Sequence, residues 1–372
     1  MHKLTFFPLG NADCCRIDLE GGQKILVDFA DIGCVDDPDD LRIALAGELR
    51  EDLKNAKRDY YDVVAFTHLD NDHICGASEF FQLDHAEKYQ GEKRIKIHEL
   101  WVPAAAVIEE GCTDEDRIIR AEARYRLKKG TGIRVFSRPE KLKDWLEGEG
   151  LSIDDRKHMM TDAGQLIPGF STAGQGVEFF VHSPFAKRLN AAEVIDRNVD
   201  SLVVQATFVC EDTLTRVLLG SDLDYTAISD IVNITRARNR DERLESDVLK
   251  LWHHCSYKAI GPDKGENKTE PVEEVKWIFE DKLPRNAIII STSKPIPSDD
   301  NDDQPPHRQA AAYYRERVDA VGGEFKVTME HPTKTKPDPL VIEIDGSKAR
   351  IKKRFVSGAA AVITSRAPRA GL

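Results

Sequence analysis

The sequence predicts an α/β fold of many short strands and fewer helices, with a charged helical insertion. Three observations point to it. Runs of β-branched and aliphatic residues such as YDVVAFT, SLVVQATFV and NAIIIST recur along the chain and suit buried strands. Leu41, Ala44, Leu45, Leu49 and Leu53 fall at helical spacing between two early runs. Residues 104–165 then interrupt the strand and helix rhythm with a charged, mostly helical stretch.

The chain opens with LTFFPL, CCRIDL and KILVDFA, separated by GNAD and by the Gly21–Gly22 turn, a hairpin-rich sheet edge. A helix is expected from Pro38 to Ala56. The strand YDVVAFT follows, and ASEFFQL begins a further helix. After the insertion come VEFFVHSP, SLVVQATFV, TRVLLGSD, DVLKLWHH and NAIIIST, all suited to sheet cores. The acidic, Pro-rich PIPSDDNDDQPP, a helix near Gln309 to Ala320, and the strands EFKVTM and LVIEID close the fold. The small-residue stretch at 355–372 reads as a loose C-terminal tail.

Composition narrows the function. The chain has 372 residues, 41% apolar and 32% charged, and no apolar run approaches the length of a membrane span. Its start, MHKLTFFPLGNADCC, lacks the basic flank and long apolar core of a secretory signal. Seven cysteines form no CxxC pair, which predicts reduced thiols and a cytoplasmic protein with no membrane partner. The net charge of −12 disfavours a general nucleic-acid coat protein, although a local basic groove remains compatible with it.

The chemistry concentrates in THLDNDHICGA. His68, Asp70, Asp72 and His73 stand directly after the apolar run Val63–Phe66, at a strand end where unpaired charge is expensive. Aspartates capping a following helix are the bland explanation. Two more strand ends argue against it: RVLLGS leads into Asp222, with Asp224 as the alternative, and DVLKLWHH delivers His253 and His254. Imidazoles and carboxylates at three strand tips suit two divalent ions of the Zn or Mn type, with an aspartate bridging them.

HLDNDH resembles the HxHxDH motif of the metallo-β-lactamase superfamily, in the HxDxDH form of the soluble hydrolase domain of bacterial competence (DNA-uptake channel) proteins. GNADCCRID is similar to that group's Gly-x-Gly-Asp turn and ILVDFA to its Ile-Asp-x-Gly strand end. NVDSLVV, LLGSDLD, VLKLWHHCS and PRNAIIISTSK with QPPHRQ match later motifs in order. The resemblance covers most of residues 1–345 and implies a four-layer αββα sandwich, with one hydrolase domain over 1–354 and 104–165 inserted within it. It implies metal ligands His68, Asp70, Asp72, His73, Asp222 and His254, and hydrolysis by water or hydroxide activated between two ions. Asp72 and His253 are the expected catalytic groups, and Asp28 either orients a ligand histidine or is a simple turn acid. Asp70, Ser221 and Cys255 depart from the pattern, and only His182 is available for a third histidine motif.

Within the insertion Arg117, Arg120, Arg124 and Lys128 form a helical stripe, read as a surface for nucleic-acid phosphates or a partner protein. His307, following Pro305 and Pro306, is placed near the substrate or else is a turn residue. The resulting expectation is a metal-dependent phosphodiesterase or nuclease. Its rival is an effector or subunit of a multi-protein assembly, such as one for anti-phage defence, that is active only with its partner or is not catalytic.

Overall fold

Strands buried on both faces set the architecture. Val64 of the YDVVAF run packs with Leu26 and with Leu45, Leu49 and Leu53 of a helix, whereas its neighbours Val63 and Ala65 pack against Phe179, Val204 and Val217 of another sheet. That is the alternation a pleated strand imposes. The computed structural model describes residues 1–34, 36–191 and 195–353, so the tail expected at 355–372 lies outside the described residues.

In chain order the strands are β1 (His2–Phe6), β2 (Cys15–Asp18), β3 (Lys24–Val27), β4 (Tyr60–Ala65), β5 (Lys96–Pro103), β6 (Ile133–Phe136) and β7 (Met160–Thr161). Next come β8 (Val177–Ser183), β9 (Val203–Cys210), β10 (Thr213–Leu219), β11 (Val248–Lys250), β12 (Ile288–Ser291) and β13 (Glu324–Val327). A small hairpin, β14 (Pro332–Thr333) with β15 (Lys336–Pro337), precedes β16 (Leu340–Asp345) and β17 (Lys348–Ile351). One sheet has the order β17-β16-β1-β2-β3-β4-β5-β6-β7 and the other β13-β12-β11-β10-β9-β8.

Three apolar layers separate four layers of structure. Helices Leu45–Asn55, Glu115–Lys129 and Glu140–Gly148 cover the outer face of the first sheet. Helices Tyr225–Ala237, Glu273–Asp281 and Arg308–Ala320 cover the second through Leu218, Leu249 and Ile289. Leu4, Phe6, Ile17, Phe208, Val248 and Ile290 fill the space between the sheets. This is the αββα sandwich that the resemblance implied.

Three expectations need correction. The first helix starts at Leu45 and not near Pro38, because Asp40 accepts from the backbone N–H groups of Cys34 and Arg42 and folds the preceding segment into turns. The opening strands lie inside the sheet rather than at its edge, since β1 pairs with β16. Residues 104–165 are largely helical, yet they continue the rhythm rather than break it: β6 and β7 add in parallel beyond β5.

Candidate metal centre

Parallel pairing brings the chemistry together. β10, β11 and β12 run in register, Leu219 beside Lys250 and Lys250 beside Ile290, so the residues following them emerge at one level of the sheet. β3 and β4 do the same opposite, with Val27 beside Ala65. Gly220 permits the close approach, since a Cβ there would lie 2.6 Å from the Lys250 carbonyl oxygen. Beyond β11 the chain turns through His253, His254 and Cys255 at φ of 48°, 51° and 66°. A left-handed backbone costs a non-glycine residue about 1–2 kcal/mol, so this turn stores energy while aiming His254 inward.

His73 and His254 each have one nitrogen fixed from behind and the other directed into the cluster. His73 Nδ1 donates to Asp28 Oδ2 at 2.9 Å, and His254 Nδ1 donates to the Thr292 carbonyl at 2.7 Å. His254 Nε2 lies 3.1 Å from Asp72 Oδ2 and 3.2 Å from Asp222 Oδ2, and His73 Nε2 lies 3.5 Å from Asp222 Oδ1. His73 Nε2, His68 Nε2 and Asp222 Oδ1 are buried without hydrogen-bond partners. Buried polar atoms are rarely left so. Asp13, His73, Asp222 and His254 present ligand atoms all within 4.8 Å of one another, as do His68, Asp72 and His73. Oriented imidazoles, converging carboxylates and orphaned inward atoms fit a divalent cation.

The electrostatics agree. Burial alone would lower the His254 imidazole, but Asp222 and a hydrogen bond to Asp72 push it up to about 10. His73 is likewise raised well above its usual range against burial, by Asp28 and Asp222. Burial tends to raise Asp72, yet the hydrogen bond to His254 and the charge of His73 hold it at about 2. His68, desolvated and beside His73, falls to about 3 and is a neutral base at ordinary pH. The carboxylates therefore draw positive charge into a buried space.

Of the residues expected at the site, His68, Asp72, His73, Asp222 and His254 meet there. Asp224 does not: its Oδ1 accepts from Ala227 N at 2.9 Å and caps the helix Tyr225–Ala237. Asp28 orients His73, and it also accepts from Thr67 N at 2.7 Å and Thr67 Oγ1 at 2.8 Å. Asp70 is shared between the cluster and Arg197. Its Oδ1 meets Arg197 Nη1 at 3.1 Å, leaving Oδ2 at 3.6 Å from His68 Nε2. His253 sits beside the cluster, and its ring nitrogens make no hydrogen bond among the described residues. His182 is remote, with Nε2 on the Arg243 carbonyl at 2.8 Å.

Two expectations about substrate contacts do not fit the geometry. His307 is buried, and both of its ring nitrogens are engaged, Nδ1 with Tyr257 N at 3.4 Å and Nε2 with the Asp303 carbonyl at 3.2 Å, so it latches the turn after β11. In the basic stripe, Arg120 donates to the Glu109 carbonyl. Arg124 donates to the Val107 carbonyl at 2.7 Å and pairs with Glu110 at 2.9 Å, and Lys128 pairs with Glu149 at 3.2 Å. Arg117 Nε contacts only the Thr113 carbonyl, at 3.2 Å. Most of the stripe holds the segment to itself.

Four participants, Asp13, Lys250, Ser221 and Arg197, were not foreseen. Asp13 enters from the β1–β2 turn, and the buried Lys250 donates to its Oδ2 and, at 2.9 Å, to the Gly220 carbonyl. The Ser221 hydroxyl lies 3.3 Å from His68 Nδ1. Asp13 did carry a signal, the GNADCC turn, and Lys250 another, a lone cation in the buried run VLKL. Arg197 carried none.

Fold and site together define a four-layer αββα protein with a buried His/Asp cluster able to hold metal. No protein-family profile and no curated protein matches the chain. Solved structures similar to it include unliganded yeast PDE1, at 9% identity over 88% of this chain and 96% of that chain, TM-score 0.42. Zn(2+)-bound PqqB from Methylobacterium extorquens is similar at 9% identity over 92% and 100%, TM-score 0.37. The class B3 di-zinc metallo-beta-lactamase LRA-12 from an Alaskan soil metagenome is similar at 12% identity over 86% and 91%, TM-score 0.32. Likenesses this distant add no weight, and the functional reading rests on the chain's own residues.

Proposed function

We propose that the chain is a metal-dependent hydrolase of phosphodiesters. The observation that carries the metal dependence is the convergence of His73, His254 and Asp222 on one buried space, with Asp13 and Asp72 at its sides and His68 adjoining it. Zn or Mn suits this donor set. When bound, such an ion polarises the electrophile and lowers the pKa of water.

The chain's own groups supply the rest. Asp28 and the Thr292 carbonyl fix the tautomers of His73 and His254, so that both rings offer Nε2. Asp72, partly exposed and ionised at ordinary pH, orients the attacking water. His253 is lowered by burial and is neutral at ordinary pH, so its unengaged ring takes the proton of the attacking water and passes it to the leaving oxygen.

The phosphodiester class rests on the resemblance to the hydrolase domain of competence proteins. Nucleic acid is one such substrate, and Arg117, whose side chain reaches only a local carbonyl, is the stripe residue left to meet its backbone. The test is a panel of bis-p-nitrophenyl phosphate, single- and double-stranded DNA, RNA and cyclic dinucleotides, with Zn or Mn and with chelator. Turnover of none of them by metal-loaded protein would overturn the phosphodiesterase reading, and would favour a subunit whose site works only beside a partner.

A further inference from the structure

Resting on that reading, one side chain sets how many ions the site holds. Arg197 lies outside the cluster, and every N–H of its guanidinium is engaged. Nε donates to both carboxylate oxygens of Glu109, at 2.8 Å and 2.9 Å. Nη1 donates to the Leu69 carbonyl at 2.9 Å and to Asp70 Oδ1 at 3.1 Å. Nη2 donates to Asp116 Oδ2 at 2.7 Å and approaches Cys112 Sγ at 3.8 Å. These contacts use all the donors an arginine has. They tie the loop between β4 and His73 to both ends of the 109–116 turn.

The consequence for the site is asymmetric. One cation position is bounded by His73, Asp222 and His254, with Asp13 on one side and Asp72 on the other. A second position would centre on His68 Nε2. His73 belongs to both groups of ligand atoms but has only Nε2 to give, because Nδ1 is held by Asp28. Without His73, His68 has Asp70 and a shared carboxylate, and Asp70 is already paired with a fixed cation. Among the described residues no further histidine joins that group of ligand atoms: His182 is bonded to the Arg243 carbonyl, and His253 lies outside the group. Two ligands make a poor cage when one further carboxylate, Asp70, is already shared with a fixed guanidinium whose positive charge opposes that of a divalent ion.

We propose that Arg197, by holding Asp70, closes the second cation position, so that this chain binds one divalent ion tightly where the superfamily pattern suggests two. Arg197 is a positioning residue, acting through Asp70. A salt bridge of purely structural value would affect melting alone, whereas a clamp on a ligand changes stoichiometry.

The measurement is calorimetric titration of chelator-treated protein with Zn2+ alone, with elemental analysis after dialysis. Wild type should bind one equivalent tightly. Arg197→Ala should bind two, the second at least about tenfold tighter than any second event in wild type. Arg197→Lys, which keeps a cation beside Asp70, should return to one, and so should Arg197→Ala combined with Asp70→Ala. Should Arg197→Ala fail to fold, Asp70→Ala alone decides: the single equivalent should persist with affinity changed less than about threefold, and its loss would show Asp70 to be a ligand and overturn the proposal. Two tight equivalents in wild type, or one in every variant, would also overturn it while leaving the metal-dependent hydrolase reading intact. No equivalent in wild type would remove that reading and this inference together.

Discussion

Asp13 and Lys250 make the sharpest energetic case at the scale of single residues. Both are almost wholly buried, and Asp13 Oδ1 has no partner although Oδ2 receives the Lys250 ammonium. Removing one member of a buried ion pair leaves a desolvated charge and costs about 3–5 kcal/mol, whereas removing both costs far less. Lys250→Met should therefore lower urea-unfolding stability by about that amount, and Lys250→Met with Asp13→Asn should recover most of it. Equal losses in the single and double variants would show that the pair itself does not hold this region. Asp72 gives the matching catalytic prediction. Its oxygen meets His254 while its side chain stays partly exposed, so Asp72→Ala should leave circular dichroism and melting unchanged and reduce kcat/KM on a chromogenic phosphodiester by about a thousandfold or more.

At the scale of elements, what could be read from the sequence depended on whether neighbours supplied the pairing. β4, β9 and β12 announce themselves as predominantly apolar, β-branched runs because most of their side chains are buried. β5 begins with Lys96, His98 and Glu99 among its apolar residues, and β7 is two residues long, so neither stands out before β6 is seen beside them. The candidate ligands were legible for a related reason, since His68, Asp222 and His254 stand within a few residues of the end of a buried strand. The pairing of Asp70 with Arg197 was not legible, because Arg197 lies 127 residues away. The stripe on Glu115–Lys129 was visible as spacing, but its partners Val107, Glu109 and Glu110 belong to the preceding turn. It follows that Arg120→Glu or Arg124→Glu should lower the melting temperature by several degrees, about 1–3 kcal/mol for a partly buried guanidinium facing carbonyls and a glutamate. Arg117→Glu, on the exposed side, should move it by less than about 0.5 kcal/mol. The reverse ranking in a thermal melt would mean that the stripe's contacts are not what holds the segment.

Across the whole molecule, two sheets bring five strand ends to one edge, and the price is a buried excess of negative charge that the chain balances with imidazolium. His254 at about 10 and His73 well above its usual range are both charged near neutrality, although each must be neutral to bind a cation through Nε2. Loading an ion therefore expels up to two protons, and apparent affinity should rise with pH between about 6 and 8, by at most about a hundredfold per unit. The chelated protein should show the opposite trend. A histidine raised from about 6.5 in the unfolded chain stabilises the fold fully below that value, and the contribution is lost as pH climbs through its folded value near 10. No helix among the described residues is long and apolar enough to cross a membrane. Melting of chelated protein should thus weaken from pH 7 to pH 10 while Zn-loaded protein gains relative to it over the same range. Titrations in buffers of different ionisation enthalpy should report the released protons directly. Zn binding with no proton release and no pH dependence would mean that His73 and His254 are not the ligands, and that the ion sits elsewhere.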